Sequence, residues 1–246
     1  MRILVASDLH YCLPHYDWLV EQAPHFDVVA LPGDHLDLAG SVPLDAQIVV
    51  LRSYFQKLSS ASILLTTSGN HDLDGPGTHG EQIPSWLQQA ARQGVHVDGA
   101  VFDIDTTRFT LCPWWDGPVT KLEVDAQLAR DAEGRPERWI WLYHSPPAGT
   151  GLCRTATREF PDHDLANWIK RWQPDLVFTG HIHQAPWVEG GAWAAQLGRT
   201  WVFNPGRQVV AGRPVGQVPS HLIVDTDAAT ADWTGLPAFG SIALDA

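Results

Sequence analysis

The stretch Ser68-Gly69-Asn70-His71-Asp72 sets an amide oxygen, an imidazole and a carboxylate side by side behind the apolar run Ile63 to Leu65. A turn is well made from Asn-Gly or Asp-Gly, and no turn type requires a histidine after asparagine. Side chains of these types hold divalent cations or pass a proton beside them. Taken alone, the stretch reads equally as a solvated loop closed by an Asx-turn. Four further places add weight to it. Asp8 and His10 follow the run Ile3 to Ala6, and Asp34 and Asp37 follow Val28 to Leu31. His144 follows Trp139 to Leu142, and His181 and His183 follow Leu176 to Phe178.

Each of these residues has an ordinary alternative role. Asp8 or Asp34 suits the cap of a following helix, and His144 or His181, taken singly, suits a hydrogen-bonded core histidine. Asp37 reads as a capping or supporting residue rather than a ligand. Those roles do not explain the set, because carboxylates and imidazoles gathered in one cleft repel or go unsatisfied unless cations compensate them. Oxygen and imidazole donors without thiolates suit Mn, Fe or Zn.

The elements that must position these residues are legible in the pattern around them. The apolar runs do not alternate with polar residues, which is the mark of strands buried on both faces. Between them, Leu44 to Leu58 carries Ile48, Leu51, Phe55 and Leu58 at helical steps, and Leu165, Trp168, Ile169 and Trp172 repeat that spacing before Pro174. Trp86 to Gln93 reads as another helix, with Pro84 near its start and Gly94 past its end. Strand, helix and strand in that order predict an α/β fold with mainly parallel pairing. In an open α/β sheet ligands bind beyond the carboxyl ends of the strands, and all five polar turns lie there. Val95 to Ile104, Arg108 to Cys112, Thr200 to Phe203, His221 to Asp225 and Thr230 to Thr234 read as short strands between turns. They predict antiparallel pairing in a second sheet or along the edges of the first.

A chain of 246 residues with 44% hydrophobic content and no repeat or linker is expected to form one domain over residues 1–246. The formal charge of −12, from 28 acidic against 16 basic residues, argues against a nucleic-acid polymer as partner. Cys12, Cys112 and Cys153 are odd in number and lack metal-type spacing, so neither a disulfide framework nor a thiolate zinc site is expected. The apolar run at the N-terminus is too short for a signal peptide, and no run reaches the ~18 residues of a membrane span. A soluble, cytoplasmic protein is the expectation. Nothing in the sequence reports the oligomeric state.

Asp8-x-His10, Gly33-Asp34, Gly69-Asn70-His71-Asp72, His144 and Gly180-His181-Ile182-His183, in this order, resemble the calcineurin-like metallophosphoesterases. The resemblance implies a four-layer αββα sandwich, two mixed sheets flanked by helices. It implies two divalent metal ions, one held by Asp8, His10, Asp34 and His183, the other by Asp34, Asn70, His144 and His181, with Asp34 bridging. It also implies hydrolysis of a phosphoester by a metal-bridging hydroxide, with His71 as general acid and Asp72 orienting its ring. The spacing is compatible: in Asp8-Leu9-His10 and His181-Ile182-His183, alternate residues of an extended segment point to the same side. Two ions ~3.5–4 Å apart can hold a nucleophile while neutralising phosphoryl oxygens.

The substrate is less defined. Asp34 is followed by His35-Leu36-Asp37-Leu38-Ala39-Gly40, without the arginine that follows the second Asp in the family's protein phosphatases. Tyr143-His144-Ser145-Pro146-Pro147 and Asn204-Pro205-Gly206 look more like the small bacterial phosphodiesterases. A small phosphodiester, and with it monoesters, is therefore the expected substrate class. Tyr11, His35, Trp114 and Trp115 are candidates for lining the pocket, with Arg154 and Arg207 as phosphate or base contacts; packing aromatic residues and solvated arginines are the ordinary alternatives. Two other readings stand beside this one. One is a nuclease acting on nucleic-acid ends, like the family's DNA-repair members, against which the acidic balance counts. The other is a non-catalytic scaffold, like the metal-poor retromer subunit, against which the intact His71 counts.

Overall fold

The computed structural model describes residues 1–208 and 216–244. Strands β1 (Arg2–Val5), β2 (Val28–Pro32) and β3 (Ile63–Thr67) lie parallel, joined by helices α1 (Leu13–Gln22) and α2 (Leu44–Ala61). A small ribbon, β4 (Gly75–Pro76) with β5 (Gln82–Ile83), leads into α3 (Ser85–Ala91). The second sheet starts with the hairpin β6 (Val101–Ile104) and β7 (Thr107–Leu111). It continues through α4 (Pro118–Ala132) to β8 (Arg138–Leu142) and through α5 (His163–Trp172) to β9 (Leu176–Phe178), both parallel to β7. Strands β10 (Ala194–Leu197) and β11 (Thr200–Phe203) complete it. The chain then returns to the first sheet with β12 (His221–Asp225), β13 (Thr230–Gly235) and β14 (Ala238–Ala243), all antiparallel. The strand orders are β14-β13-β12-β1-β2-β3 and β10-β11-β9-β8-β7-β6.

The continuous apolar runs are explained by burial on both faces. In β1 and β2, Leu4 and Val29 face one way, packing with Leu19 of α1, Phe55 of α2 and Trp86 of α3. Ile3, Val5, Val28 and Ala30 face the other way, into a core shared with Phe109, Ile140, Leu142 and Phe178 of the second sheet. The far face of that sheet carries Trp139, Trp141 and Val177 against Val124 and Leu128 of α4 and Leu165 and Ile169 of α5. Three cores between four layers are the arrangement the resemblance implies. Removing a large buried ring such as Phe55 would cost about 3–5 kcal/mol.

Helix boundaries follow local chemistry. Asp162 caps α5 by accepting the Leu165 N–H at 2.8 Å, and Gln173, in the left-handed region at φ 48°, ends it before Pro174. Helices α1 and α4 have no clear apolar stripe in the sequence. Their buried faces mix His15 with Tyr16 and Leu19, and Gln127 and Asp131 with Val124 and Leu128, which dilutes the apolar period. Three strand expectations are corrected. Arg108 to Cys112 falls in β7, which is antiparallel to β6 but parallel to β8. Thr200 to Phe203 is antiparallel to β10 but parallel to β9, so it extends the parallel set. Val95 to Ile104 is a strand only from Val101, because the chain turns at Gly99 and Val95 and Val97 pack into the helix-side core of the first sheet.

No helix is long and apolar enough to cross a membrane among the described residues. All three cysteines are free.

Candidate metal centre

Five loops leave the carboxyl ends of β1, β2, β3, β8 and β9 and meet above the seam between the sheets. Backbone bonds tie them together: Asp8 N–H to Gly33 O at 3.2 Å, His10 N–H to Asp34 O at 3.0 Å, and Gly180 N–H to His144 O at 2.8 Å. Asp8, His10, Tyr11, Asp34 and His181 all take positive φ, between 42° and 66°. Non-glycine residues held there carry strain that the surrounding structure must offset. Close approach adds a second constraint. A Cβ on Gly69 would strike the Asp34 carboxylate and the His144 ring, and one on Gly180 would strike Ser7 and Asp8.

Two donor sets result, Asp8, His10, Asp34 and His183 in one and Asp34, His144 and His181 in the other, each with its donor atoms within 4.8 Å of one another. Asp34 belongs to both. Its Oδ1 accepts the His71 N–H at 2.9 Å, while its Oδ2 faces His144 Nε2 at 3.2 Å, His10 Nε2 at 3.6 Å and His71 Nε2 at 4.0 Å. Asp8 accepts the His181 N–H at 2.9 Å and lies 3.3 Å from His183 Nε2. His10 Nδ1 bonds to Leu36 O at 3.3 Å and His144 Nδ1 to Pro32 O at 2.7 Å. A carbonyl only accepts, so each Nδ1 carries the proton when the ring is neutral and each Nε2 lone pair is directed into the site.

These groups fit divalent cations. Asn70 Oδ1 is buried with no hydrogen-bond partner among the described residues, as an acceptor reserved for a cation would be. His10 Nε2 and His183 Nε2 stand 3.0 Å apart, an approach of two basic nitrogens that a proton or a cation must mediate. Electrostatics agree. Burial works to raise the carboxyl pKa values of Asp8 and Asp34, but His183 beside Asp8 and His144 beside Asp34 overcome it and hold both below the ordinary range. Burial drives His10 down to about 4, and burial with the neighbouring His144 does the same to His181. Burial also opposes charge on His144, yet Asp34 and Asp8 carry that ring up to about 9. With neutral His10 and His181 and ionised Asp8 and Asp34, most donors are already in ligand form at neutral pH.

The remaining expected site residues separate. His71 stands at the mouth with its ring 4.5 Å from that of His10, and its Nδ1 has no partner among the described residues. Asp72 does not orient it. The buried Asp72 carboxylate accepts the N–H groups of Asp34 and Gly69 at 2.8 Å, His35 at 2.9 Å and Leu36 at 3.0 Å, stitching the β2 and β3 loops together. His35 is no pocket residue either. It is fully buried, with Nδ1 3.1 Å from the Tyr16 hydroxyl and Nε2 3.1 Å from Thr67 O. Tyr11 packs on the helix-side core of the first sheet. Arg154 is 3.7 Å from Glu159 and lines a surface hollow with Val188 and Gly190. Arg207 donates its N–H to His183 O at 2.9 Å, and its charge helps depress His10. Trp114 borders the site, its ring 5.4 Å from His181 and 5.8 Å from His144.

Residues not expected from sequence support this arrangement. Asp98 is buried and accepts the Ser68 N–H at 2.8 Å, and Ser68 Oγ accepts the Trp114 N–H at 2.9 Å. Burial pushes the Asp98 carboxyl up to about 7. In sequence Val97-Asp98-Gly99 carries no more than a turn signal, so nothing marked Asp98 out.

Solved structures with this fold include TT1561 of Thermus thermophilus, with TM-score 0.61 and 16% identity over 99% of both chains. The purple acid phosphatase PPD1 of yellow lupin (Lupinus luteus) seeds has TM-score 0.58 and 15% identity over 99% of this chain and 51% of its own. Identities this low speak to the fold alone. No match was found among curated proteins. The family described as calcineurin-like phosphoesterase matches residues 1–185, a span that includes all five polar turns, and the chain belongs to that family.

Proposed function

We propose that the protein is a dinuclear metal-dependent hydrolase of a small phosphoester, a diester and with it monoesters. The observation that carries this reading is that both donor sets share Asp34, which gives one carboxylate the placement to serve two cations. Asp8, His10, Asp34 and His183 would hold one ion, and Asp34, Asn70, His144 and His181 the other. Divalent ions bound there would acidify a water and neutralise phosphoryl oxygens.

The chain's own groups supply the rest. The carbonyls of Leu36 and Pro32 keep His10 and His144 in the tautomer that directs Nε2 inward. Asp72 fixes the backbone of Asp34 against that of Gly69, so the shared carboxylate and the Asn70-His71 turn keep a constant separation. His71, partly exposed at the mouth, is the proton donor to the leaving-group oxygen. Its Nδ1 is without a partner among the described residues, so the role rests on its place at the mouth rather than on a carboxylate behind it.

The test is a substrate panel on the Mn-loaded protein, comparing bis(p-nitrophenyl) phosphate, p-nitrophenyl phosphate, cyclic nucleotides and single-stranded DNA, run beside metal analysis of the dialysed protein. The reading expects about two ions per chain and diester turnover above that on DNA. A dialysed protein that retains no stoichiometric metal and hydrolyses none of the panel would remove it.

A further inference from the structure

Beside His181 opens a groove of about 640 Å³ whose walls include Trp114, Trp115, Phe160 and Pro161. Two adjacent tryptophans at the mouth of a polar centre are costly to leave even partly exposed, since each ring carries a large apolar surface. Both are held from behind. The Trp114 backbone is fixed by Ser68 Oγ, which rests on Asp98. The Trp115 ring donates to the Tyr143 hydroxyl at 2.8 Å, and that hydroxyl donates to Asp162 at 2.7 Å. The Trp115 ring packs on the core under α4 and α5, and Trp114 is anchored through its backbone.

The charges around the groove are answered. Asp164 pairs with Lys121 at 2.6 Å, Glu159 faces Arg154 at 3.7 Å, and Asp116 accepts the Gln82 N–H at 2.8 Å. Asp162 is occupied by Tyr143 and by the Leu165 N–H. No lysine or arginine is among the described residues that line the groove, but Lys121 Nζ lies 5.5 Å from the centre of the Trp115 ring and the Arg158 guanidinium 4.3 Å from that of Phe160, so each of these rings already carries a cation on one face. What the groove offers a ligand is aromatic surface, chiefly the Trp114 ring, on which no cation is stacked among the described residues. Phe160, also in its wall, is 36% exposed.

We infer that this groove is the subsite for the organic group of the substrate, and that it selects a planar aromatic group, an aryl ring or a nucleobase. The inference rests on the proposed hydrolase reading, and on the position of Trp114 between the groove and the rings of His144 and His181. Planar stacking, rather than hydrophobic bulk, is the property that matters. Stacked aromatic pairs gain over area burial alone by an amount equivalent to about a two- to tenfold change in affinity.

The experiment compares non-hydrolysable ligands of matched bulk on the Mn-loaded full chain by calorimetry: benzylphosphonate against cyclohexylmethylphosphonate. A second pair, adenosine 5′-monophosphate against ribose 5-phosphate, asks whether the ring is a nucleobase. A preference of about fivefold or more for the planar member of either pair is expected, with the larger ratio naming the source. Trp114→Leu should bring that ratio close to one, and Phe160→Ala, at an exposed position with little bearing on folding, should lower it. Ratios near one in both pairs, or a preference untouched by both substitutions, would overturn the inference. Turnover of benzyl and cyclohexylmethyl phosphate separates the two readings. Equal hydrolysis of both esters sinks the subsite and leaves the hydrolase, whereas planar-selective binding without hydrolysis of any ester supports the subsite and removes the hydrolase.

Discussion

The two ends of the parallel strands are built from the same segments and end in opposite kinds of chemistry. At the amino ends, charged groups are answered in place. Arg199 pairs with Asp175 at 2.5 Å, Asp175 also accepts the Trp139 N–H at 2.8 Å, and Arg138 donates to Thr226 O at 3.2 Å. At the carboxyl ends, Asn70 Oδ1 and His71 Nδ1 are buried without partners among the described residues. Backbone strain does not distinguish the ends. Positive φ occurs at Asp105, Gln173 and Ala229 near the amino ends as well as at five residues of the site. The former close a hairpin, a helix and another hairpin, where left-handed residues are ordinary turn devices. The site is marked by strained backbone combined with unanswered ligand-type atoms, and neither feature alone identifies it.

If that contrast reflects cation binding, the largest effect should follow from the shared carboxylate. Asp34→Asn is expected to release both ions together and to lower phosphoester turnover by at least about 10⁴-fold, read by metal analysis and steady-state kinetics. Retention of one ion would show that the donor sets are independent. His71→Gln should leave both ions bound while slowing turnover by about 10²–10⁴-fold; metal loss in this variant would make His71 a ligand instead.

The next effect concerns protons. His144 is raised to about 9 because Asp34 and Asp8 outweigh its burial, so in the metal-free protein the ring is protonated below that pH. A cation needs it neutral, so metal affinity should rise with pH, about tenfold per unit between roughly pH 7 and 9 for one displaced proton. Calorimetry in buffers of different ionisation enthalpy would count that proton, and an affinity flat across this range would contradict the coupling.

Smaller effects are expected in stability. Gly69→Ala forces a methyl against Asp34 and His144 and should cost about 1–3 kcal/mol in denaturant unfolding of the metal-free protein. Arg199→Ala removes a half-exposed pair at the amino ends and should cost roughly 0–1 kcal/mol, without change in turnover. Comparable losses from the two would erase the distinction between the ends.

Much of the scaffold was readable because its signals are local. The runs at β1, β2, β3, β8 and β9 are apolar on both faces, and the stripe Leu51, Phe55, Leu58 identifies α2 without reference to anything else. Helix α4 was not readable, because Gln127 turns inward to donate to Leu111 O at 3.0 Å and Asp131 accepts from Thr110 Oγ1. A polar residue on a buried face breaks the period that sequence reading depends on. The direction of β11 was hidden for a related reason: a strand's partners are not encoded in its own alternation.

By itself the sequence determined the donor types, their order and their place at five strand ends, since each depends only on residues adjacent along the chain. The tertiary structure decided which of those groups meet. It turned Asp72 toward four backbone amides instead of His71, buried His35 under Tyr16 and Thr67, set Arg154 beside Glu159 and Gly190, and placed Asp34 among three imidazoles. Contacts between loops of two different sheets depend on how those sheets pack across their common core, a distance of more than a hundred residues along the chain for Asp34 and His144. Periodicity within one element reports only which of its own faces is buried.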